Sequence, residues 1–470
     1  MEASASAADP RGDTIAAVAT AAGRAALAVV RLSGPAARAI AARLGVAADL
    51  EPRRATRARL HHPDRPDAPL DEAVVTVHVA PRSFTGEDTV EFSVHGGAFV
   101  SRALLVALVE AGARPARAGE FSERAVLHGK LDLLQAEAIA DLIDARSAAM
   151  HRAALRQLGG ALSHRIGALR EALLDVEALI AYEIDFPEED DGPLPRERAL
   201  AAAARAGAGI DALLATLPQA ELARDGLVVV IAGAPNVGKS SLFNTLAGDA
   251  RAIVSEIPGT TRDALEVVVD DEPLPIRFVD TAGLRESTDA VERLGVEVSL
   301  RRLAGAHAVL VCADDDSALG RACEMVAAHS AAPRIAVRTK ADLLAAGAAA
   351  WRAPTTVPAD HVLAVSAATG AGLSTLREAV RAIARTIART HLPDPAEEHP
   401  VVTRARHVSA LKTARAEIAL FVEAWSGSTL PAPVAGTHLR AAVLALDELV
   451  GGIDAEEVLG RVFRTFCVGK

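Results

Sequence analysis

The residues with the clearest chemical potential in this sequence lie in one short glycine-containing segment. Residues 233–240 read Gly-Ala-Pro-Asn-Val-Gly-Lys-Ser and fit G-x-x-x-x-G-K-[ST], the pattern of a phosphate-binding loop. In such a loop, backbone N–H groups surround the phosphates at a helix N-terminus, where the helix dipole favours anions. Lys239 would bring a positive charge to the β- and γ-phosphates, and Ser240 would give a hydroxyl to Mg²⁺. The apolar run 227–231 supplies the preceding strand, so the segment predicts a nucleoside triphosphatase.

Two further segments predict groups that act on the γ-phosphate and its Mg²⁺. Residues 280–283 read Asp-Thr-Ala-Gly after the strand-like run 276–279, and Asp280 can hold the coordination shell of the ion. Residues 258–263 read Pro-Gly-Thr-Thr-Arg-Asp and supply Thr261, a second hydroxyl for Mg²⁺ on a loop that can become ordered around the triphosphate. Both segments are typical of GTPases.

Two segments that follow the strand-like runs 334–337 and 361–365 predict the base. Residues 339–342 read Thr-Lys-Ala-Asp, and residues 366–368 read Ser-Ala-Ala. The carboxylate of Asp342 can accept two N–H bonds from guanine, whereas adenine lacks this donor pair and would leave the carboxylate unpaired. The order of these segments predicts a domain that binds GTP. The predicted GTP-binding residues are Asn236, Val237, Gly238, Lys239, Ser240, Ser241, Ser255, Thr260, Thr261, Asp280, Thr281, Ala282, Gly283, Thr339, Lys340, Ala341, Asp342, Ser366, Ala367 and Ala368.

Two positions depart from the usual GTPase pattern. Thr339 stands where Asn is the commonest residue; its hydroxyl can still donate to guanine N7, but Asn can also brace the phosphate loop. We expect a loss of about 1 kcal/mol or less, the size of one net hydrogen bond. Leu284 stands where many GTPases have a glutamine that orients water. Either hydrolysis is slow, or the catalytic groups come from elsewhere.

Length and composition restrict the class of protein. The 470 residues suffice for two or three domains, and without an apolar run of about 18 residues no membrane span is expected. No signal-peptide pattern is expected at the N-terminus, and the three cysteines, without C-x-x-C spacing, fit a reducing cytoplasm and no metal or disulfide framework. The net charge of −11 and the 3% aromatic residues do not give the footprint of a nucleic-acid binder. Any RNA contact is therefore expected through a local basic patch or a partner protein.

The apolar pattern divides the chain into parts of different class, so the predicted fold is multidomain α/β and α+β. Residues 1–128 alternate strand-like and helical runs, as in an α+β domain. Residues 129–225 and 388–470 are predicted to be helical and flank the predicted P-loop GTPase domain, 226–387. The simplest interpretation is one helical domain, built from both flanks, into which the GTPase domain is inserted.

Periodicity also predicts individual elements. In the first part, strands are expected at 25–32, 72–79 and 89–94 and a helix at 101–111. A helical apolar stripe is interpreted as bundle core, with a seam for a partner helix as the alternative; it consists of Leu155, Leu158, Leu162, Ile166, Leu169, Leu173, Val176 and Ile180. Gly159 and Gly160 predict a kink within this stripe.

Several segments outside the phosphate loop resemble one family. Residues 117–143 begin Arg-Ala-Gly-Glu-Phe-Ser-Glu-Arg-Ala, residues 83–88 read Ser-Phe-Thr-Gly-Glu-Asp, and residues 466–470 read Phe-Cys-Val-Gly-Lys. With the 258–263 loop, the chain resembles the MnmE (TrmE) family of tRNA-modification GTPases over nearly everything after Gly12. The resemblance implies an N-terminal folate-binding α+β domain that dimerises, a central helical domain and an inserted Ras-like GTPase domain.

The resemblance also implies a reaction and partners. Members form a heterotetramer, built on the homodimer, with the flavoprotein MnmG (GidA), which supplies FAD and NADH chemistry and most of the contact with tRNA. Together they add a carboxymethylaminomethyl or aminomethyl group at C5 of the wobble uridine. The one-carbon unit comes from a tetrahydrofolate derivative, either 5-formyl or 5,10-methylene.

Site residues follow from the same resemblance. The implied folate contacts are Arg31, Glu91, Lys130 and Lys470, and the implied K⁺ ligands are Asn236, Ser255, Ile257 and Thr260. Glu292 would orient the attacking water through a second water, which would compensate for Leu284. Catalytic roles are thus expected for Glu292 and Lys239, while Cys467 is either functional or an inert buried thiol.

Two other functions remain open at this point. One is a ribosome-assembly or general regulatory GTPase, which would have no need of a folate pocket or of the terminal Cys-Val-Gly-Lys. The other is a folate-dependent transferase with a vestigial GTPase domain, which the intact Lys239, Ser240, Thr261 and Asp280 disfavour.

Overall fold

The structure is a computed structural model in which two compact units are distinguished. It describes residues 12–185, 196–248, 266–280, 302–344, 351–352, 354, 357–392, 400–426, 432–451, 463, 466 and 469. The units are Met1–Ala140 with Gln157–Gly207 and Ser409–Lys470, and Asp141–Arg156 with Ala208–Val408. The four domain ranges expected from the sequence stay a prediction.

A six-stranded sheet forms the N-terminal part of the first unit. Its strands are β1 (Ile15–Val18), β2 (Leu27–Ser33), β3 (Thr56–His62), β4 (Arg65–His78), β5 (Thr89–His95) and β6 (Arg114–Pro115). They lie in the order β3-β4-β5-β2-β1-β6, and only β1 and β6 pair in parallel. Buried apolar residues alternate with polar ones along β5, as expected when one face of a sheet lies in a core. Helices α1 (Ala37–Arg43) and α2 (Ala98–Glu110) pack on that face, and α3 (Glu120–Leu127) follows the sheet. The predicted α+β class is confirmed.

Five helices follow, and they correct one sequence prediction. They are α4 (Leu133–Ile143), α5 (Ala148–Leu158), α6 (Ala161–Asp185), α7 (Arg196–Leu214) and α8 (Leu217–Asp225). The stripe residues of α6 are all buried, but Leu155 is 45% exposed and Leu158 is half-buried. The helix is interrupted between α5 and α6, at a turn where Gly160 has a φ of +84°. The predicted stripe assumes one continuous helix, so the interruption separates Leu155 from it.

One described helical segment, Glu197–Asp225, is long and apolar enough to cross a membrane, which the sequence analysis did not expect. Its best window has a mean hydropathy of 1.4, and 33% of that window is buried inside the structure. The segment consists of α7 and α8, separated by a turn at residues 215–216. Length and composition alone do not assign a span, since core helices pass the same test.

A second six-stranded sheet carries the phosphate-binding segment. Its strands are β7 (Leu227–Gly233), β8 (Glu266–Val269), β9 (Ile276–Asp280), β10 (Ala308–Ala313), β11 (Arg334–Arg338) and β12 (His361–Ala364). Their order is β12-β11-β10-β7-β9-β8, and all described pairs are parallel except β8 with β9. Helices α9 (Lys239–Gly248), α10 (Asp316–Ala327) and α11 (Leu373–His391) belong to this part of the chain. The strands predicted before the phosphate loop and before the segments that begin at residues 280, 339 and 366 are confirmed.

Helices from the two flanks of the GTPase segment pack together within the first unit. After α11 come α12 (Ala405–Ser426) and α13 (Ala432–Val450). Arg170 on α6 forms an ion pair with Asp447 on α13, and Gly436 lies against Ile180. Since α6 precedes the GTPase segment and α13 follows it, this packing is the one expected for an inserted domain.

The described C-terminal residues dock on the N-terminal part of the same unit. Phe463 and Phe466 pack edge to face, with ring centroids 5.0 Å apart, in a core that includes Leu133. Gly469 has a φ of +96°, and a Cβ there would lie 2.5 Å from the carbonyl oxygen of Val18 at the end of β1. Only glycine allows this close approach.

Gly469→Ala is therefore expected to detach the C-terminal tail. The added methyl collides with backbone, and the left-handed conformation itself costs about 1–2 kcal/mol. Release of the C-terminal residue by a carboxypeptidase should become several-fold faster. Gly112→Ala is the matched control, because its φ of +115° is also positive but open space surrounds it. Equal release from the two variants would contradict the docking contact.

Candidate functional site

The phosphate-binding loop leaves β7 beside β10 through a position that needs glycine. Gly233 has a φ of +146°, and a Cβ there would lie 2.1 Å from the carbonyl oxygen of Cys312. Asn236 is exposed in the loop with a φ of +62°. The loop ends where α9 begins, so the N-terminus of that helix faces the phosphate position.

The two side chains expected to act on phosphate and Mg²⁺ both lie at the start of α9. The Nζ of Lys239 donates to the carbonyl oxygen of Ala234, 2.7 Å away, inside the loop. The Ser240 hydroxyl donates to Oδ2 of Asp280 at 3.3 Å, and Asp280 is fully buried at the end of β9. A hydroxyl and a carboxylate oxygen side by side fit Mg²⁺, which prefers oxygen ligands.

Two of the residues predicted to bind the base, Asp342 and Ser366, are in contact with each other. Asp342 accepts a hydrogen bond of 2.6 Å from the hydroxyl of the buried Ser366, which fixes the direction of its carboxylate. Lys340 adopts a left-handed φ of +53°, and its Nζ donates to Asp314 at 2.8 Å. This hydrogen bond lowers the pKa of Asp314. Ala367 is half-buried and Ala368 is exposed in the loop that follows Ser366.

Thr339 behaves differently from the sequence expectation. Its hydroxyl contacts the carbonyl oxygen of Val237 in the phosphate loop and, at 3.0 Å, that of Ala313 at the end of β10. The side chain is 4% exposed. Bracing of the phosphate loop was expected from Asn and not from Thr, and this part of the expectation is wrong. The reason is that the two loops lie close together: a Cβ at Gly238 would lie 3.6 Å from the Cβ of Thr339. At this separation the short Thr side chain is sufficient to contact the Val237 carbonyl.

Two of the three cysteines lie in this part of the chain as inert thiols. Burial raises the pKa of Cys312 to about 12 and that of Cys323 to about 11. Both therefore stay protonated at neutral pH, where a thiol is neither a good nucleophile nor a metal ligand.

The N-terminal sheet brings together two of the predicted folate contacts. Arg31 on β2 lies directly opposite Glu91 on β5, and its Nε donates to the Glu91 carboxylate at 2.9 Å. The guanidinium carbon lies 5.3 Å and 5.6 Å from the ring centroids of Phe84 and Phe121. His78 lies 4.0 Å from the other oxygen of Glu91. The pair is thus a cation–carboxylate site bordered by two aromatic rings.

Lys130 lies beside the loop 81–84, which carries Phe84. Its Nζ donates to the carbonyl oxygen of Pro81 at 3.1 Å, three residues before Phe84. The loop 81–84 therefore contacts both of the positively charged residues that are predicted to bind folate, Lys130 and Arg31.

Sequence reasoning missed a cluster of buried charged residues around Arg124 in the same N-terminal part of the chain. Arg124 is 1% exposed and forms ion pairs with Asp13, Glu87 and Glu120. Burial acts to raise the pKa of Glu120, but hydrogen bonds from Arg114 and from a backbone N–H outweigh it and lower that pKa. The signal was present as Glu120 and Arg124 at i and i+4, within a segment interpreted only as a family signature.

Several predicted site residues lie outside the described part of the chain. They are Ser255, Ile257, Thr260, Thr261, Thr281, Ala282, Gly283, Leu284, Glu292, Cys467 and Lys470. Their roles stay predictions.

The sheet, the phosphate-binding loop and the segments 339–342 and 366–368, which follow parallel strands, define a GTPase of the P-loop class. A family profile described as MnmE helical domain matches residues 133–467, and one described as GTP-binding protein TrmE N-terminus matches residues 14–130. A "tRNA modification GTPase MnmE" of Azoarcus sp. is 43% identical over 97% of this chain and 98% of its own length. Proteins with the same description from Neisseria meningitidis and Geobacter metallireducens are 41% and 39% identical, each over 97% of this chain and 99% of their own length.

The chain therefore belongs to the MnmE family of tRNA modification GTPases. Among solved structures, that of Aquifex aeolicus Era bound to GDP·AlF4⁻ is similar at 26% identity, over 41% of this chain and 67% of that one, with a TM-score of 0.25.

Asp342→Asn is expected to change the base preference. The side-chain NH₂ of Asn would face the N–H donors of guanine, and two donors cannot form a hydrogen bond. Xanthine has a carbonyl in place of the exocyclic amine, and this carbonyl can accept from the NH₂. Affinity for GDP should fall, and affinity for xanthosine diphosphate should rise above it, in competition with a fluorescent guanine nucleotide. Asp360→Asn, on the exposed turn before β12, serves as the control. Unchanged GDP affinity in Asp342→Asn would exclude this carboxylate from the base site.

Proposed function

We propose that the protein hydrolyses GTP and that this hydrolysis serves the modification of the wobble uridine of tRNA. The observation that carries the proposal is the assembly, at one edge of a parallel sheet, of a phosphate loop, the Ser240–Asp280 pair and the Asp342–Ser366 pair. The family membership gives the process that this GTPase serves.

Lys239 and the loop would hold the β- and γ-phosphates of GTP. Lys239 donates to the carbonyl oxygen of Ala234 inside the loop, and its charge would form charge-assisted hydrogen bonds with phosphate oxygens held there. Ser240 would contribute to holding Mg²⁺ close to Asp280, with Thr261 as the second hydroxyl. The ion would neutralise charge that develops on the transferred phosphoryl group.

The cation and water-orienting roles would fall on the phosphate loop, on residues 255–260 and on Glu292. Glu292 would orient the attacking water, and K⁺ would bind at Asn236, Ser255, Ile257 and Thr260. Asn236, the only one of these in the described chain, is exposed at the loop. This arrangement would supply the charge that an arginine finger provides in other GTPases.

Potassium is therefore expected to stimulate hydrolysis. Arginine fingers accelerate GTP hydrolysis by about 10³–10⁵, so a cation in that place should give more than a tenfold difference between KCl and NaCl at equal ionic strength. Asn236→Ala should lose most of this stimulation, whereas Asn244→Ala, on an exposed position of α9, should keep it. Equal rates in the two salts would remove K⁺ from the mechanism.

The N-terminal pair would bind the folate that donates the one-carbon unit. Arg31 suits the glutamate tail, Glu91 suits N–H groups of the pterin, and Lys130 and Lys470 would add charge. Phe84 is half-buried and would give a flat ring an apolar contact, whereas Phe121 is fully buried and only borders Arg31.

Arg31→Ala is expected to weaken folate binding by about tenfold to a hundredfold, since a charge-assisted contact is worth about 1.5–3 kcal/mol. Calorimetry of the full-length protein with 5-formyltetrahydrofolate measures this. Arg57→Ala is the matched control, because Arg57 also pairs with a glutamate across the same sheet but is 77% exposed. GTP hydrolysis should stay intact in both variants. Equal folate affinity in both would exclude Arg31 from the site.

The proposal includes the partners that complete the reaction. Two copies would form a homodimer and combine with the flavoprotein MnmG, which supplies FAD and NADH chemistry and most of the tRNA contact, in the cytoplasm. The net charge of −11 agrees with a chain that leaves most RNA contacts to its partner.

Nucleoside analysis of tRNA from a strain that lacks the protein tests the proposal. The C5-modified wobble uridine should disappear, and the full-length chain should restore it. Normal nucleosides with accumulated ribosomal precursors would favour a regulatory GTPase instead. Full restoration by Lys239→Ala would favour a folate transferase that does not need its GTPase domain.

A further inference from the structure

Thr339 connects the base-recognition segment to the phosphate loop through a single hydroxyl group. Its oxygen lies against the carbonyl oxygens of Val237 and Ala313, and both of these groups can only accept a hydrogen bond. A hydroxyl has one proton, so the donor of Thr339 is used within the protein. Guanine N7 is also an acceptor, and it would need a second proton that this side chain does not have.

The backbone of Thr339 is fixed as well. Its N–H donates to the carbonyl oxygen of Ala313 at 2.8 Å, and the residue is almost completely buried. The Ala313 carbonyl keeps this backbone donor, but the Val237 carbonyl would lose the hydroxyl if the side chain turned towards a base. An unsatisfied buried carbonyl costs about 1–3 kcal/mol.

We propose that Thr339 is a positioning residue for the phosphate loop and that this protein recognises guanine without a hydrogen bond to N7. The proposal rests on the GTP binding proposed above and concerns how that site selects its base. Selection then depends on Asp342 alone among the side chains of residues 339–342. Asp342 is exposed and oriented by Ser366, so its carboxylate has acceptor capacity left for the N–H edge of guanine.

The contact with Val237 also has a consequence for phosphate binding. In a planar trans peptide the carbonyl and the next N–H point in opposite directions. Holding the Val237 carbonyl towards Thr339 therefore turns the N–H of Gly238 away from it, as a loop that surrounds phosphate requires. Loss of the hydroxyl should weaken every nucleotide equally, whatever its base.

Competition binding with GDP and 7-deaza-GDP, in which carbon replaces N7, tests the first part on the unmodified full-length protein. The two affinities should agree within about twofold. Thr339→Asn provides a side-chain amide that can donate to N7, and it should make GDP bind about fivefold more tightly than 7-deaza-GDP, the value of one net hydrogen bond. A fivefold preference for GDP in the unmodified protein would overturn the proposal.

Two further substitutions of Thr339, one that removes the hydroxyl and one that keeps it, test the second part. Thr339→Val keeps the shape and removes the hydroxyl, and it should weaken GDP and 7-deaza-GDP by the same factor, about fivefold or more. Thr339→Ser keeps the hydroxyl and should bind both nucleotides like the unmodified protein. A Thr339→Val variant that lowers GDP affinity alone would show that the hydroxyl contacts the base.

These outcomes are distinguishable from a failure of the proposed function. If neither GDP nor 7-deaza-GDP binds the unmodified protein, GTP is not its ligand. If both bind but with unequal affinities, only the inference about Thr339 and N7 is wrong.

Discussion

The nucleotide site depends on the register of one parallel sheet. Ile231 pairs with Asp280 and Cys312 pairs with Gly233, so the segments that leave these strands start at the same edge. Successive side chains of a strand point to opposite faces, and a slip of one residue would turn Asp280 away from Ser240. The glycine at 233 adds a second restriction, because a Cβ there would collide with the carbonyl oxygen of Cys312 on β10. The chemistry of the loop is thus a consequence of strand pairing.

This dependence explains how much the sequence could predict. The GTPase segments each follow an apolar run, and parallel strands end at a common edge, so Lys239, Ser240, Asp280 and Asp342 could be assigned to one site from their order alone. The contact between Thr339 and Val237 could not, since it joins residues 102 positions apart and depends on the exact distance between two loops. The exposure of Leu155 could not be predicted either, because the spacing of apolar residues does not reveal that a helix has ended.

Charged residues of the N-terminal sheet show the same limit. Arg31 and Arg57 both face a glutamate on a neighbouring strand, and nothing in their local sequence separates them. In the structure the Arg31 side chain is 16% exposed between two aromatic rings, while that of Arg57 is 77% exposed. Exposed pairs contribute little to stability or binding, whereas a partly desolvated pair can orient a ligand. The resemblance to a family identified Arg31; the packing around it gives the physical reason.

The Arg31–Glu91 pair limits what binding at the N-terminal site can gain. Arg31 already has a charged partner in Glu91, so a carboxylate ligand must compete with an existing ion pair of similar strength. The same guanidinium group also lies over the rings of Phe84 and Phe121, and a ligand would have to share these contacts. The net gain from a new contact to Arg31 is therefore smaller than the strength of that contact, and we expect the N-terminal site to bind its ligand weakly.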